Sequence, residues 1–407
     1  MTQAGASVIV VSRHRSDALK RCLVALTQQD HPNFEVIVVA DPGGVAAAQS
    51  TGIRLRLVPF DIPNVSAARN LGLSIAAGEV VAFIDDDAVA EPSWLGRLCG
   101  PFNDRTVVAS TGFVRGRNGI SYQWRASEVD QFGMDHPITV ADTGEMRAGT
   151  LSRAVKTQGT NCAFRAETLR AIGGFDPAYR FYLDEADVNL RLAAFGPTAI
   201  LPMAEVHHGF AASARRRQDR VPLDLTEIAA SSAVFLRRHA PGDDPMPHFD
   251  RLRGEQMLRL AAHRHAGRID TAGEAALLRG LDLGWGTGLA RDLPLPPPIS
   301  PAPPGDFAPL PGTGTRPGFT IYGLRWRRKR MRAAARAAVQ HGKIVTVFCF
   351  SLTARAHRNH FDPEGFWWQE GGLFGRSDRE TNRFRLFTCG SRVRKEINRL
   401  RQVRPCE

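Results

Sequence analysis

The 407-residue chain contains no run approaching the roughly 18 apolar residues of a membrane-spanning helix. Its first residues also lack the basic-then-apolar layout of a secretory leader, so a soluble, cytoplasmic protein is expected. Six cysteines, Cys22, Cys99, Cys162, Cys349, Cys389 and Cys406, form no C-x-x-C pair. That absence removes both a zinc site and a disulfide framework and fits reduced thiols. No repeat of solenoid type is present. What the chain does have is length enough for two or three domains and a net charge of +12 that is unevenly spread.

Ser7-Val8-Ile9-Val10-Val11, Phe34-Glu35-Val36-Ile37-Val38-Val39 and Val80-Val81-Ala82-Phe83-Ile84 are short apolar, β-branched runs that read as buried parallel strands. Between the first two, Asp17 to Leu26 places apolar residues at helical spacing, with Ser16 or Asp17 as N-cap. A second helix, Ser66 to Ala77, leads into the third strand. This alternation predicts an α/β sheet whose ligands sit at the carboxyl ends of the strands. Asp41 and Asp85-Asp86-Asp87 would share that edge.

Three adjacent carboxylates repel one another and resist burial. A divalent cation relieves the conflict, and oxygen ligands suit magnesium or manganese. A solvated acidic turn is the alternative reading. Asp184-Glu185-Ala186-Asp187 is a second acidic group, opening a short helix. Helix capping accounts for part of it, but three carboxylates in four residues exceed what a cap needs.

In five blocks the chain resembles a family 2 glycosyltransferase of the nucleotide-sugar-binding GT-A fold. These are Ser7 to Arg15, Val38-Val39-Ala40-Asp41, Ser66-Ala67-Ala68-Arg69-Asn70-Leu71-Gly72, Gly78 to Asp87, and Asn161 to Arg165 continuing through Gly173-Gly174-Phe175-Asp176 to Leu183-Asp184-Glu185 and Leu192. The resemblance covers about residues 7–210 and implies a Rossmann-like mixed sheet with flanking helices. It implies a nucleotide-diphosphate sugar as donor and manganese or magnesium as cofactor. Ser12, Asp41, Arg69, Asp85 and Asp86 would lie on the donor side, with Asp41 accepting from the nucleobase and Arg69 offering its planar fork to base or diphosphate. By residue chemistry alone, Asp41 is equally a turn residue before Pro42-Gly43-Gly44, and Arg69 a solvated helix residue. The metal would be held by Asp87 and Asp85 with a histidine, His207 or its neighbour His208. The resemblance places the general base of an inverting transfer at Glu185, with Asp184 as runner-up. The family usually reads Glu-Asp where this chain reads Asp-Glu, so the longer side chain stands at the base position.

The domain reading is a GT-A unit over 1–215, a helical extension over 216–292, a proline-rich linker over 293–318, and a basic C-terminal module of unknown fold over 319–407. From Ile321 to Glu407 there are 20 Lys and Arg against 7 Asp and Glu, so the rest of the chain is close to neutral. Arg325-Trp326-Arg327-Arg328-Lys329-Arg330-Met331-Arg332 is the densest cluster; it suits anionic lipid headgroups at the inner face of a membrane, as an amphipathic helix, or polyanions such as acidic glycans, with a solvated basic helix as the alternative. Nucleic acid is not an expected partner. Phe366 to Gly375 reads as an aromatic, glycine-rich turn, with Trp367-Trp368 either stacking on a sugar or lying in a core. The predicted activity is inverting transfer from a nucleotide sugar to a saccharide or lipid-linked acceptor, in cell-surface polysaccharide or glycoconjugate synthesis. A sugar-phosphate nucleotidyltransferase is the first alternative, but Ser12-Arg13-His14-Arg15-Ser16 lacks the glycine its phosphate loop needs. A non-catalytic GT-A-like binding protein is the second.

Overall fold

The computed structural model describes residues 4–302 and 306–407. Its first unit runs β1 (Ala6–Ser12), α1 (Ser16–Leu26), β2 (Phe34–Ala40), α2 (Pro42–Gln49), β3 (Arg56–Pro59), α3 (Val65–Ile75), β4 (Val80–Asp85), β5 (Ala88–Ala90), α4 (Trp94–Cys99) and β6 (Ala109–Arg115). Short strands follow: β7 (Tyr122–Trp124), β8 (Ser127–Asp130), β9 (Asp135–Pro137), β10 (Glu145–Arg147) and β11 (Arg153–Val155). Then come β12 (Cys162–Arg165), α5 (Ala166–Ala171), α6 (Asp184–Leu192) and β13 (Thr198–His208). The main sheet orders its strands β10-β13-β6-β12-β4-β1-β2-β3, with β5 added to β13 and β7 to β6. Both expected β-α-β features are present, and α1 begins one residue earlier than its sequence cap, with Arg15 in the cap position and no side-chain cap bond.

This mixed sheet is buried on both faces, which is why its central strands read as continuous apolar runs. Val8, Val10, Val36, Val38, Val80, Ala82 and Ile84 meet α1 and α4 on one side. Ile9, Ile37, Val39, Val81 and Phe83 meet α3, α5 and α6 on the other. Gly72 lets α3 close on β1, because a Cβ there would stand 2.7 Å from Ile9 Cγ2. The chain goes from β1 outward to β2 and β3, then returns to pair β4 on β1's opposite edge. That reversal opens a crevice at the carboxyl ends of β1 and β4, where Val11 is registered with Asp85.

Three helices follow, α7 (Thr226–His239), α8 (Met246–His265) and α9 (Thr271–Ala290). They share a small core around Leu236, Leu260, Leu281 and Trp285. A Cβ on Gly284 would meet Thr226 O at 2.1 Å and one on Gly288 would meet Ala230 O at 2.3 Å, so glycine allows α7 and α9 to touch backbone to backbone. The proline-rich stretch lies against the first unit: Ile299 N donates to Arg170 O and Leu310 N to Phe34 O, with Leu310 buried in the core. Pro303, Pro304 and Gly305 of that stretch are outside the described residues.

The C-terminal unit comprises β14 (Gly318–Leu324), α10 (Arg328–Gln340), β15 (Ile344–Ser351), β16 (Arg358–Asp362), β17 (Phe366–Gly372) and α11 (Cys389–Leu400). Its sheet, ordered β14-β15-β17-β16, carries α10 on one face and α11 on the other. The segment expected as an aromatic turn is therefore strand β17. Trp367 and Trp368 are fully buried on opposite faces, so neither forms an exposed stacking platform. Trp367 and Phe361 pack on Ala25 and Val89 of the first unit, and Gln28 Nε2 donates to Gly365 O at 2.6 Å. Among the described residues no helix is long and apolar enough to cross a membrane.

Candidate active site

The three acids after β4 are separated by the strand's pleat and the turn that follows. Asp86 is fully buried; Ser12 Oγ donates to it at 2.7 Å and Arg15 Nη2 lies 2.8 Å away. Burial pushes its carboxyl up to about 7 against the pull of Arg15, and neighbouring Asp87 adds to the rise. Asp87 goes the other way. Burial alone would raise it, but His208, Arg15 and the Ala211 amide hold it well below the usual carboxylate range. His208 Nε2 stands 3.2 Å from its Oδ1, and Ala211 N donates to its Oδ2 at 2.7 Å. Asp85 is the most open of the three, with Arg69 Nη2 at 3.7 Å.

Asp85, Asp87 and His208 bring one ligand atom each within 4.8 Å of one another. The donor set fits manganese or magnesium. His208 Nδ1 bonds Gln123 Oε1 at 3.0 Å, which orients the ring so that Nε2 faces the acids, the kind of outer hydrogen bond that metal-binding histidines use. His207, the other candidate for the third ligand, points to the opposite side of β13. Its Nε2 meets Glu91 Oε1 at 2.8 Å and its ring packs on Trp367. Adjacent strand residues face opposite ways, so only one of the pair can join the site, and it is His208.

Arg69 is buried, not on a solvated helix face. Its Nη1 donates to Asp184 Oδ2 and its Nη2 reaches Gly159 O at 3.3 Å, where a Cβ on Gly159 would stand 2.6 Å from that nitrogen. The guanidinium thus bridges the acids of β4 and those of α6, over the Phe175 ring at 5.0 Å. Burial pushes Asp184 well up, with Glu185 adding and Arg69 opposing. At Glu185, burial is outweighed by Arg69, the hydrogen bond from Asp184 and Lys156, so this carboxylate stays below its ordinary value and ionised at neutral pH. Glu185 is half-exposed and Asp184 buried. Asp187 is engaged elsewhere, with Arg191 at 2.6 Å and His239 at 3.0 Å.

Asp41 caps α2, accepting from Gly43 N at 3.1 Å and from His14 N at 2.8 Å. Burial would raise its carboxyl, but the His14 and Gly44 amides hold it lower. Asn161 is a structural residue with Trp94 Nε1 donating to it and its own amide donating to Phe113 O and Ala204 O.

Two groups escape the sequence reading. Arg15 pairs with both Asp86 and Asp87. The loop after β13 brings Arg216 and Arg220 over Phe210 at 5.5 and 4.3 Å, and Arg215 over Phe181 at 4.5 Å. Burial holds the Arg215 and Arg216 guanidinia below their ordinary values, as expected of cations short of counter-charge. Backbone strain marks the same places: His14, Tyr182, Leu183 and Phe210 have φ of 58°, 75°, 64° and 54°. Tyr182-Leu183 sits directly before Asp184, so the left-handed pair aims the acids.

Residues 7–172 match the model of the family described as glycosyl transferase family 2, which bears out the resemblance seen in the sequence. The O-antigen biosynthesis protein RfbC of Myxococcus xanthus is 27% identical over 269 residues, 60% of this chain and 20% of that one. The succinoglycan biosynthesis protein ExoM of Rhizobium meliloti is 31% identical over 146 residues, 33% of this chain and 45% of that one. The chain thus spans about a fifth and under half of these relatives' lengths. Among solved structures, GalNAc-T7 with UDP, GalNAc and Mn2+ is 14% identical with a TM-score of 0.44, over 58% of this chain and 48% of that one, a loose likeness.

Proposed function

From the match of residues 7–172 to glycosyl transferase family 2, we propose that this protein is an inverting glycosyltransferase that moves a sugar from a nucleotide-diphosphate donor to a saccharide or lipid-linked acceptor. The observation that carries the reading is the pair of acidic groups facing one crevice with Arg69 between them. One group is built for a cation and the other for a proton. The names of the relatives, O-antigen and succinoglycan biosynthesis proteins, support a place in polysaccharide synthesis.

Asp85, Asp87 and His208 would hold manganese or magnesium. Such an ion neutralises the diphosphate as negative charge builds on it in the transition state. Arg216, within the field of Asp87, would be a further donor for departing oxygens. Glu185, ionised and half-exposed, takes the proton of the acceptor hydroxyl as it attacks the anomeric carbon from the face opposite the nucleotide. Arg69 and Asp184 hold Glu185 in place. Asp86 and Ser12 lie deeper and suit the ribose.

The test is thermal denaturation with nucleoside diphosphates, with and without manganese. A ligand that binds only the native state raises the midpoint by mass action. Asp87→Asn keeps the shape and removes the charge, so the manganese-dependent shift should vanish while the fold persists. An unchanged shift in that variant would remove the metal assignment.

A further inference from the structure

A cavity of about 290 Å³ lies in the C-terminal unit, between the loop after β17 and the first turns of α11. Arg376, Arg385, Arg392 and Lys395 line it, with Phe387, Thr381 and Asn382, and no carboxylate is among the lining residues. Three of these cations crowd one ring: Arg385, Arg392 and Lys395 stand 5.5, 5.0 and 5.3 Å from the Phe387 centroid. Like charges so placed repel unless something negative lies between them.

Of the acids nearby, Glu396 and Glu380 are already committed, and Asp378 attracts Lys395 without an ion pair between them. Glu396 accepts from Ser377 Oγ at 2.6 Å and from Gln369 Nε2 at 2.9 Å, and it pairs with Arg392 and Arg399. Glu380 is taken by Arg125 at 2.9 Å. Among the described residues neither Arg385 nor Lys395 has a carboxylate partner. Burial, together with adjacent Arg392, holds the Lys395 ammonium below its ordinary value. Arg392 is fully buried and lines the cavity, yet its Nε–H has no hydrogen-bond partner. A buried charged donor left unpaired is costly, and Arg392 adds its positive field behind the cavity.

We propose that this cavity is a second ligand site, for a phosphate monoester or diphosphate. Guanidinium forks match phosphate oxygens two at a time, and lysine adds a point charge. A monocarboxylate would offset only one of the four cations. The volume sits at the lower limit of ligand pockets, so it suits the charged head of a phosphorylated saccharide or a diphosphate rather than a whole nucleotide sugar. None of its lining residues belongs to the Asp85, Asp87 and His208 group, and its occupancy needs no transfer chemistry.

The experiment is thermal denaturation in EDTA with millimolar pyrophosphate, against sodium chloride at matched ionic strength. Wild type and Asp87→Asn should both gain roughly 2 °C or more, and the double variant Arg385→Gln/Lys395→Gln should not. Both substituted side chains are at the cavity's open side, so the fold should survive, checked by circular dichroism. A shift no larger than that of chloride, or one kept in the double variant, would overturn the proposal. Two arms then separate the sources. Glucose 1-phosphate that shifts wild type and not the double variant assigns the site to a soluble ester. Sedimentation with phosphatidic acid vesicles that depends on Arg385 and Lys395 assigns it to a lipid headgroup.

Discussion

A single guanidinium between two sets of carboxylates neutralises only part of either, so the charge left over governs what the residues around Arg69 can do. At α6 the remainder is shared unequally: burial pushes the Asp184 carboxyl up, while Arg69, Asp184 and Lys156 hold Glu185 down. Glu185→Gln should therefore cut transfer by roughly 100-fold or more, the range that general bases supply, with the manganese-dependent nucleotide shift kept. Turnover within a few fold of wild type would move the role to Asp184. At β4 the remainder is met by Arg15, which reaches Asp86 and Asp87. A cation binding there has to compete with that arginine. Arg15→Gln should lower the melting temperature without metal and enlarge the gain on adding manganese; an equal gain in both proteins would count against the competition. Arg15 was illegible in the sequence because no spacing announces a contact between residues so far apart in the chain. The choice between His207 and His208 was illegible for another reason: it depends on which way a strand residue faces, and only the register of β13 on β5 decides that.

At the scale of elements, the helical extension acts as a buttress for α6. His239 of α7 bonds Asp187, Arg238 pairs with Asp176, and Phe235 packs with Leu183 and Leu190. The first strands, α1, α3 and the three later helices were readable because apolar period and burial agree there. Strand β17 was not. Its two glycines and adjacent tryptophans imitate a turn, and only a second sheet with helices on both faces makes alternate burial of Trp367 and Trp368 possible. On α11, Glu396 is the buried acid that ties helix to sheet. Burial would raise it, but Arg399 and Arg392 bring it from an ordinary 4.5 down to about 2. The unfolded chain thus binds this proton more readily, so the contribution to stability is complete above about pH 4.5 and lost as pH falls toward 2. Glu396→Gln should cost on the order of 3 kcal/mol at pH 7, and the gap to wild type should narrow at pH 3 in urea titrations. A gap that is constant with pH would mean that charge is not what Glu396 contributes.

The whole molecule joins a nearly neutral first unit to a basic one, and a buried ion pair lies in the interface beside its apolar cluster. Arg404 is fully buried, 2.6 Å from Glu91 and over the Trp367 ring at 3.7 Å, so the C-terminal unit is fastened on the side of β13 opposite His208. Apart from the cations of the α11 cavity, a second group of free charges lies on the turn that follows β14 and on the first residues of α10. Met331, Ala335 and Ala338 turn inward, and Arg332 and Arg336 are met by Asp362 and Glu364. Arg325, Arg327, Lys329 and Arg330 stay exposed, beside Trp326 at 71%, Tyr322 at 54% and Phe319 at 36% exposure. Aromatic rings with free cations suit the interfacial zone of an anionic bilayer, where a lipid-linked acceptor would be presented. Each such cation contributes about 1 kcal/mol at low salt, so changing all four to glutamine should detach the protein from anionic vesicles in sedimentation assays. Transfer to a soluble acceptor should be kept, since none of the four lies in the crevice. Wild type that fails to sediment with such vesicles at low ionic strength would rule this surface out as a membrane contact, and Trp326→Ala separates the two forces by weakening binding without changing its dependence on salt.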